Sequence, residues 1–593
     1  MKTNKSSVID FLQRDRSFII PVYQRNYEWR EEQCQRLFDD LLDLLPRVEQ
    51  YKHFFGCVVC SGQSMSECII IDGQQRLTTV SLLMLAMARM IEDGRLQPDD
   101  PRLARRLRDK YLTNDDDERQ PKFRHSRDDA AAFCALFNGR NAPDNSRFTR
   151  NYSYFSAQLA RENGYTPDQL FDAICGLEIC VLELEQGDDP QLIFESLNST
   201  GLSLSEGDKV RNYILMGITD PEQQQHWYED YWQQIEGACT SADGNSALDA
   251  FLRDYLTVRT STTNKQNRIY VACKKYCADC GDRLQVLRDL HHYAHNYRAL
   301  LQGDTAIPEL NLYIKRLNYL DTSVLRPYLL EVLEMHLTGK LTDEELLRIF
   351  NITESFVVRR FICGLAPTPI GKLLLTLHRK ILREGEAGHA VYVDRLIHHL
   401  LFSPDIKVCF PNDAEFSQCL IAFKFTVSRI KRFRYLLERL ENARTREQHE
   451  IYGKTYSVEH IMPQTLNDEW KRDLGPDHQA IHERWLHRIA NLTLTAYNSE
   501  YSNCSFTRKR DMEHGFRDSG LRLNSYLARL ERWDEAALQA RQQRLLEDAL
   551  AIWPYPASSI LADRGKKISG QQRLMSKSPL HCIPINNALR AGC

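Results

Sequence analysis

Two short runs constrain this chain more than any others: Ser457-Val-Glu-His-Ile-Met-Pro-Gln464, and then Ala490-Asn-Leu-Thr-Leu-Thr-Ala-Tyr-Asn498. The first reads as a strand that ends on an acid and an imidazole. The second begins with Asn491, alternates as a strand and leads to a further asparagine. Glu459 offers a carboxylate oxygen and Asn498 an amide oxygen, the ligand types that Mg²⁺ (or Mn²⁺) accepts while keeping several waters. His460, with an ordinary pKa of about 6.5, is suited to take a proton from a water for in-line attack on phosphorus. The chemistry implied is hydrolysis of a phosphodiester in nucleic acid.

A net charge of −3 over 593 residues excludes a polycation that binds nucleic acid with its whole surface, so any DNA-binding face must be local. The 42% hydrophobic and 26% charged fractions are those of a soluble globular protein. At roughly 100–200 residues per domain, three or four domains are expected. The opening Met-Lys-Thr-Asn-Lys-Ser-Ser shows no apolar signal region. Runs such as Val80–Met87 are too short to span a bilayer. A cytoplasmic protein with no membrane partner is the expectation, and 17 cysteines without framework spacing fit reduced thiols there.

The fold class expected is multidomain α+β, mostly helical. Strands are read at Phe18–Pro21, Phe54–Cys60, Cys68–Ile71 and Cys180–Glu185, with helices at 31–45 and 80–91. Residues 92–150, with the acidic run Asp115–Glu118, read as a charged, loop-rich stretch. From 216 to 445, apolar spacing at i, i+3 and i+4 predicts helices. The domains are drawn at 1–215, 216–445 and 446–555, followed by a polar tail at 556–593 expected to be poorly ordered.

Asp72-Gly73-Gln74-Gln75-Arg76-Leu77-Thr78-Thr79 joins a strand to a helix, a junction whose backbone N–H groups and helix dipole attract anions. Arg76 adds a guanidinium fork for phosphate oxygens. Tyr23-Gln24-Arg25 follows another strand, and Asn198 to Arg211 repeats the pattern with Asn198, Asp208 and Arg211. Together, Tyr-Gln-Arg-x-Tyr-x-Trp, Ile-Asp-Gly-Gln-Gln-Arg-Leu-Thr-Thr and Phe-x-x-Leu-Asn-x-x-Gly-x-x-Leu-x-x-x-Asp resemble the GmrS-like N-terminal domain of GmrSD-type modification-dependent restriction enzymes. That resemblance implies a ParB/sulfiredoxin-like α/β fold that binds and hydrolyses a nucleoside triphosphate (ATP, GTP or other). It assigns the nucleotide site to Arg25, Asp72, Gly73, Gln74, Gln75, Arg76 and Thr78, with Asn198, Asp208 and Arg211 as further candidates.

The C-terminal motifs resemble the GmrD-like domain, an HNH endonuclease of the ββα-metal class. In such a site the residue before the histidine and the last asparagine hold the metal. The resemblance therefore implies Glu459 and Asn498 as ligands, His460 as base and Asn491 as the residue that braces its loop. Lys509 or Arg508 would hold the scissile phosphate or stabilise transition-state charge. Many HNH sites carry Asp and His where this chain has Glu and Asn. Oxygen-only ligation favours Mg²⁺ or Mn²⁺ over Zn²⁺.

Cys273, Cys277 and Cys280 lack a second pair at zinc spacing and read as helical thiols. The basic run with Arg432 and Arg434, interleaved with Phe433 and Tyr435, is either a DNA-tracking surface or an ordinary helix face. The expected partners are double-stranded DNA, in particular modified phage DNA, and a nucleoside triphosphate. A homo-oligomer is compatible with the sequence. The expected role is a nucleotide-regulated, metal-dependent antiphage endonuclease. The alternatives are a nucleotide-responsive DNA-binding regulator that does not cut, and a nonspecific abortive-infection nuclease.

Overall fold

The computed structural model describes residues 1–556 apart from 48–50, 63–65, 115–116, 141, 144, 162–163, 186, 198–203, 219, 367–369, 384–389, 403–408 and 446–455. The chain divides into two compact units. The first comprises Met1–Ala238, Ser246–Leu256 and Asn264–His292; the second comprises Cys239–Asn245, Thr257–Thr263 and Tyr293–Cys593. The architecture is mostly helical, with one mixed sheet and two small ladders. The helical stretch 216–445 is shared between both units. The tail 557–593 lies outside the described residues.

In the first unit, strands β1 (Lys2–Ser7), β2 (Ser17–Ile19), β3 (His53–Gly62), β4 (Glu67–Asp72), β7 (Phe123–Arg124) and β8 (Leu177–Leu184) form one sheet in the order β1-β8-β3-β4-β2-β7. A separate ladder pairs β5 (Thr113–Asn114) with β6 (Asp117–Pro121). β3 runs parallel to β8 and antiparallel to β4, while β2 runs parallel to both β4 and β7. Against this sheet packs the helix Gln74–Glu92, which is apolar on nearly every side and correspondingly buried. Its buried hydroxyls bond back one turn: Thr79 to the Gln75 carbonyl at 2.7 Å and Ser81 to the Leu77 carbonyl at 3.0 Å. The helix begins at Gln74, so the Gln-Gln-Arg-Leu-Thr-Thr run forms its first turns instead of preceding it.

Residues 92–150 differ from the loop-rich expectation. They contain the helices Leu103–Leu107, Arg127–Phe137 and Arg147–Leu159, with Phe133, Phe137, Phe148 and Phe155 buried. Arg105 and Arg150 are exposed on these amphipathic helices, while the widely spaced aromatics reach the core. Asp115 and Asp116 lie outside the described residues.

In the second unit, β9 (Ser457–His460) pairs antiparallel with β10 (Leu492–Thr495), placing His460 opposite Leu492 and Glu459 opposite Thr493. Val458, Leu492 and Leu494 pack on Phe433, Leu436, Leu437, Leu545 and Trp553. A second cluster, including Ile461, Met462, Trp470, Trp485, Phe506 and Trp533, encloses the chain just beyond β9. The strand end is held between the two clusters, so its polar residues are fixed by packing on both sides.

Candidate active site and phosphate cleft

Glu459 and His460 are neighbours on one strand, and the two-residue period of a strand sends their side chains to different surroundings. Glu459, only 5% exposed, meets the helix Phe506–Asp511. There the fully buried Lys509 places Nζ 2.5 Å from Glu459 Oε1 and 2.9 Å from the His460 carbonyl. Burial pushes the Glu459 carboxyl up, opposed by Lys509, and pushes the Lys509 ammonium down, opposed by Glu459. Lys509 is therefore turned inward and does not present the outward, phosphate-facing cation expected from the sequence. In a low-dielectric interior its nearest anion is Glu459, and the pair satisfies itself.

His460 packs edge-on to Phe425, with ring centroids 5.5 Å apart, and its Nε2 lies 3.2 Å from His487 Nδ1. Burial holds its pKa down at about 4, helped by His487, Lys509 and His482, so the ring is neutral in the folded chain. Asn491 is fully buried beside it. Its side chain accepts from the Met462 amide at 2.8 Å, donates to the Met462 and Leu486 carbonyls at 2.9 and 3.0 Å, and accepts from Trp533 Nε1 at 3.2 Å. It clamps the turn that follows His460.

The structure brings Glu459, His460, Asn491 and Lys509 together. Asn498 is not buried with that group: it is exposed at the start of the short helix Asn498–Tyr501, and its side-chain amide makes no hydrogen bond among the described residues. The oxygen donors of Glu459 and Asn498 suit a hard divalent cation that keeps its own waters. A cation bound through Glu459 Oε1 would compete with the Lys509 ammonium. Among the described residues no group of three or more His, Cys, Asp or Glu could hold a metal ion.

Arg508 is exposed on the same helix as Lys509. Arg432 lies over the Phe361 ring at 5.4 Å, and Arg434 is half-buried against Tyr319. His487 and Trp533 were missed by sequence reasoning. His487 stands only four residues before Asn491, and that proximity was the available signal.

In the first unit, Gly73 caps the helix Gln74–Glu92 with φ 98°, in the left-handed region. A Cβ there would stand 3.0 Å from Val58 Cγ2 and 3.2 Å from the Cys57 carbonyl. The close approach of β3 therefore requires glycine. No side chain caps this helix end, which leaves its first N–H groups as an anion-attracting terminus. Arg76 donates to the Cys57 carbonyl at 2.5 Å and lies 3.8 Å from Asp72. Burial pushes the Asp72 carboxyl up, against the pull of Arg76 and Arg25.

Arg25, Gln74, Gln75 and Thr78 line one cleft of about 230 Å³, together with Tyr27, His125 and Asp129, which the sequence reading missed.

The glutamine amides are committed to the protein itself. Gln75 accepts from the Glu28 and Trp29 amides at 2.7 and 3.3 Å and donates to the Asn26 carbonyl at 3.1 Å. Gln74 donates to Gln24 at 3.0 Å, and Gln24 donates to the Ile71 carbonyl at 2.6 Å. Both glutamines hold the Gln24–Trp29 loop in place, since each buried amide must find a partner. Arg211 is likewise internal. It is 3% exposed and donates to the Tyr23 carbonyl at 2.8 Å, to Glu236 at 2.6 Å and to Asp208 at 2.8 Å. Asp208 also closes a capping box with Ser205. Asn198 lies outside the described residues.

The GmrSD restriction endonuclease N-terminal domain matches residues 8–215, and the GmrSD restriction endonuclease C-terminal domain matches residues 410–548. This chain belongs to the GmrSD restriction endonuclease family. As a GmrSD restriction endonuclease it has DNA as its partner and a nuclease role. The N-terminal GmrSD match holds the cleft lined by Arg25, Gln74, Gln75 and Thr78, with Asp72 and Arg76 at the adjoining helix start, and the C-terminal match holds Glu459, His460, Asn491, Asn498 and Lys509. No curated protein matches this GmrSD chain. None of its described helices is long and apolar enough to cross a membrane.

Proposed function

We propose that the chain cleaves modified foreign DNA, such as phage DNA, at an HNH-type site in its C-terminal unit, under control of a nucleoside triphosphate bound by its N-terminal unit. The observation that carries this reading is the meeting of Glu459, His460, Asn491 and Lys509 at one strand end. The neutral His460 ring accepts a proton from the attacking water as the new P–O bond forms and the ester P–O bond breaks, its electron pair leaving with the bridging oxygen. Asn491 fixes the loop behind the ring, and His487 fixes the ring itself through Nε2. Lys509 balances the Glu459 carboxylate and ties the helix Phe506–Asp511 to the strand end. Glu459 and Asn498 would hold a hard divalent cation, Mg²⁺ or Mn²⁺, which supplies neutralisation of phosphodiester charge.

In the N-terminal unit, the open helix terminus behind Gly73, with Arg25 and Arg76 near it, supports a phosphate-binding role. The glutamines act there by shaping the loop. Nucleotide binding would shift the population between restrained and competent states.

The test is digestion of modified and unmodified phage DNA with Mg²⁺, with and without each triphosphate, comparing the native chain with His460→Ala. Cleavage confined to modified DNA and lost in His460→Ala supports the reading. Equal activity in both proteins, or none, sinks it.

A further inference from the structure

Buried arginines in this chain come with partners. Arg211 meets Asp208 and Glu236, Arg359 meets Asp413 at 2.6 Å, and Arg439 meets Glu354 at 3.3 Å. Arg360 donates through Nη1 and Nη2 to the carbonyls of Cys409 and Ala366. Arg541 breaks the pattern. It is 1% exposed and forms no ion pair among the described residues; Nη1 donates to the Ala490 carbonyl at 2.9 Å, and Nη2 has no partner. Its guanidinium lies over the Trp533 ring at 5.9 Å, and burial pushes it down to about 9, opposed by Tyr526 and Glu441 and helped by Arg544.

Arg541 lines a cleft of about 240 Å³ with Arg522, Arg544, Tyr526 and Asp548. Asp548 is already engaged by Arg522 at 3.1 Å and Arg444 at 3.0 Å. Arg544 lies over the Tyr526 ring at 5.0 Å, with its side chain exposed to solvent. Three guanidinium groups thus line one cleft beside one committed carboxylate.

We propose that this cleft is a binding site for a single phosphate group, held by Arg541 from within and Arg544 from the surface. Guanidinium forks match phosphate oxygens in geometry and charge. The bound group would supply the acceptor that Arg541 Nη2 lacks. It would also sit on the residue that holds the Ala490 carbonyl, one position before Asn491. Free phosphate, a nucleotide and a DNA backbone all present the same oxyanion.

Titration calorimetry of the full chain with inorganic phosphate, at constant ionic strength in chloride, tests the site. The native protein and Arg25→Gln are expected to bind at millimolar phosphate or below. In the Arg25→Gln background, which weakens the N-terminal cleft, Arg544→Gln, changed at an exposed position, is expected to bind at least about tenfold more weakly, which is about 1.4 kcal/mol, and Arg541→Gln not at all. Circular dichroism establishes that each variant is folded; if Arg541→Gln is not, Arg544→Gln decides alone. Native protein that binds no phosphate, or equal binding by Arg25→Gln proteins with and without Arg544→Gln, overturns the proposal, as does loss of all binding in Arg25→Gln. Competition then names the source: displacement by a short DNA duplex marks a backbone site, displacement by a nucleoside triphosphate marks a nucleotide site, and displacement by neither marks free phosphate.

Discussion

The Nε2 of His460 lies 3.2 Å from the Nδ1 of His487, so the base that the proposed reaction needs is oriented by a second imidazole. One of the two nitrogens carries the shared proton, which ties the tautomer of His460 to the presence of His487. His460→Ala should lower kcat by about 10²–10⁴, the usual contribution of general-base catalysis. His487→Ala should lower kcat by less and leave KM for DNA unchanged, and ¹⁵N shifts of His460 should report a changed tautomer mixture. Unchanged shifts and unchanged kcat in His487→Ala would show that the contact orients nothing.

Breaking one side of the buried Glu459–Lys509 pair leaves a charge without its partner. Lys509→Met should destabilise the C-terminal unit by about 3–5 kcal/mol, and Glu459→Leu combined with Lys509→Met should cost less than the two single changes added. Urea unfolding followed by tryptophan fluorescence gives the comparison. Strict additivity would mean that the two groups do not interact.

Gln75→Ala removes the acceptor for two loop amides and the donor to Asn26. A loss of about 1–3 kcal/mol is expected from the unsatisfied groups, together with faster hydrogen exchange at Glu28 and Trp29. If exchange at those amides stays slow while triphosphate affinity falls, Gln75 touches the nucleotide instead of the loop.

His125 sits among the rings of Phe123, Phe133 and Phe148, its Nε2 has no partner, and burial holds its pKa down at about 3. The unfolded chain, with a histidine pKa of about 6.5, therefore binds the extra proton between those values. Its contribution to stability is complete above about pH 6.5 and is lost as pH falls towards 3, at a slope of about 1.4 kcal/mol per pH unit. Replacing it by phenylalanine should flatten the acid side of the N-terminal unit's stability profile by that amount. Parallel profiles for native and His125→Phe proteins between pH 6.5 and 4.5 would refute it.

Much of this was legible in the sequence because the signals were local. The strands at Phe54–Cys60 and Cys68–Ile71 and the helix from Glu31 emerge close to their expected bounds, since alternation and apolar spacing are written in consecutive residues. The clustering of Glu459, His460 and Asn491 followed from motif order. What could not be read was direction. Nothing in Asp-Gly-Gln-Gln-Arg says that its two amides turn towards Gln24 and Asn26, or that Lys509 points inward to Glu459. Those choices depend on residues about 50 positions away or more in the chain. The helices at Arg127 and Arg147 were hidden by charge-rich composition, although their phenylalanines recur at core-facing spacing.

The bond from Arg211 to the Tyr23 carbonyl spans 188 residues. During synthesis, the segment around Tyr23 must wait for the donor that secures it. At ribosomal speeds of about 5–20 residues per second, that wait is roughly 10–40 s. Through that interval the Tyr23 carbonyl has no Arg211 to accept from, and a nascent chain stalled before Glu206 would hold the Gln24–Trp29 loop through Gln74 and Gln75 but leave that bond unmade.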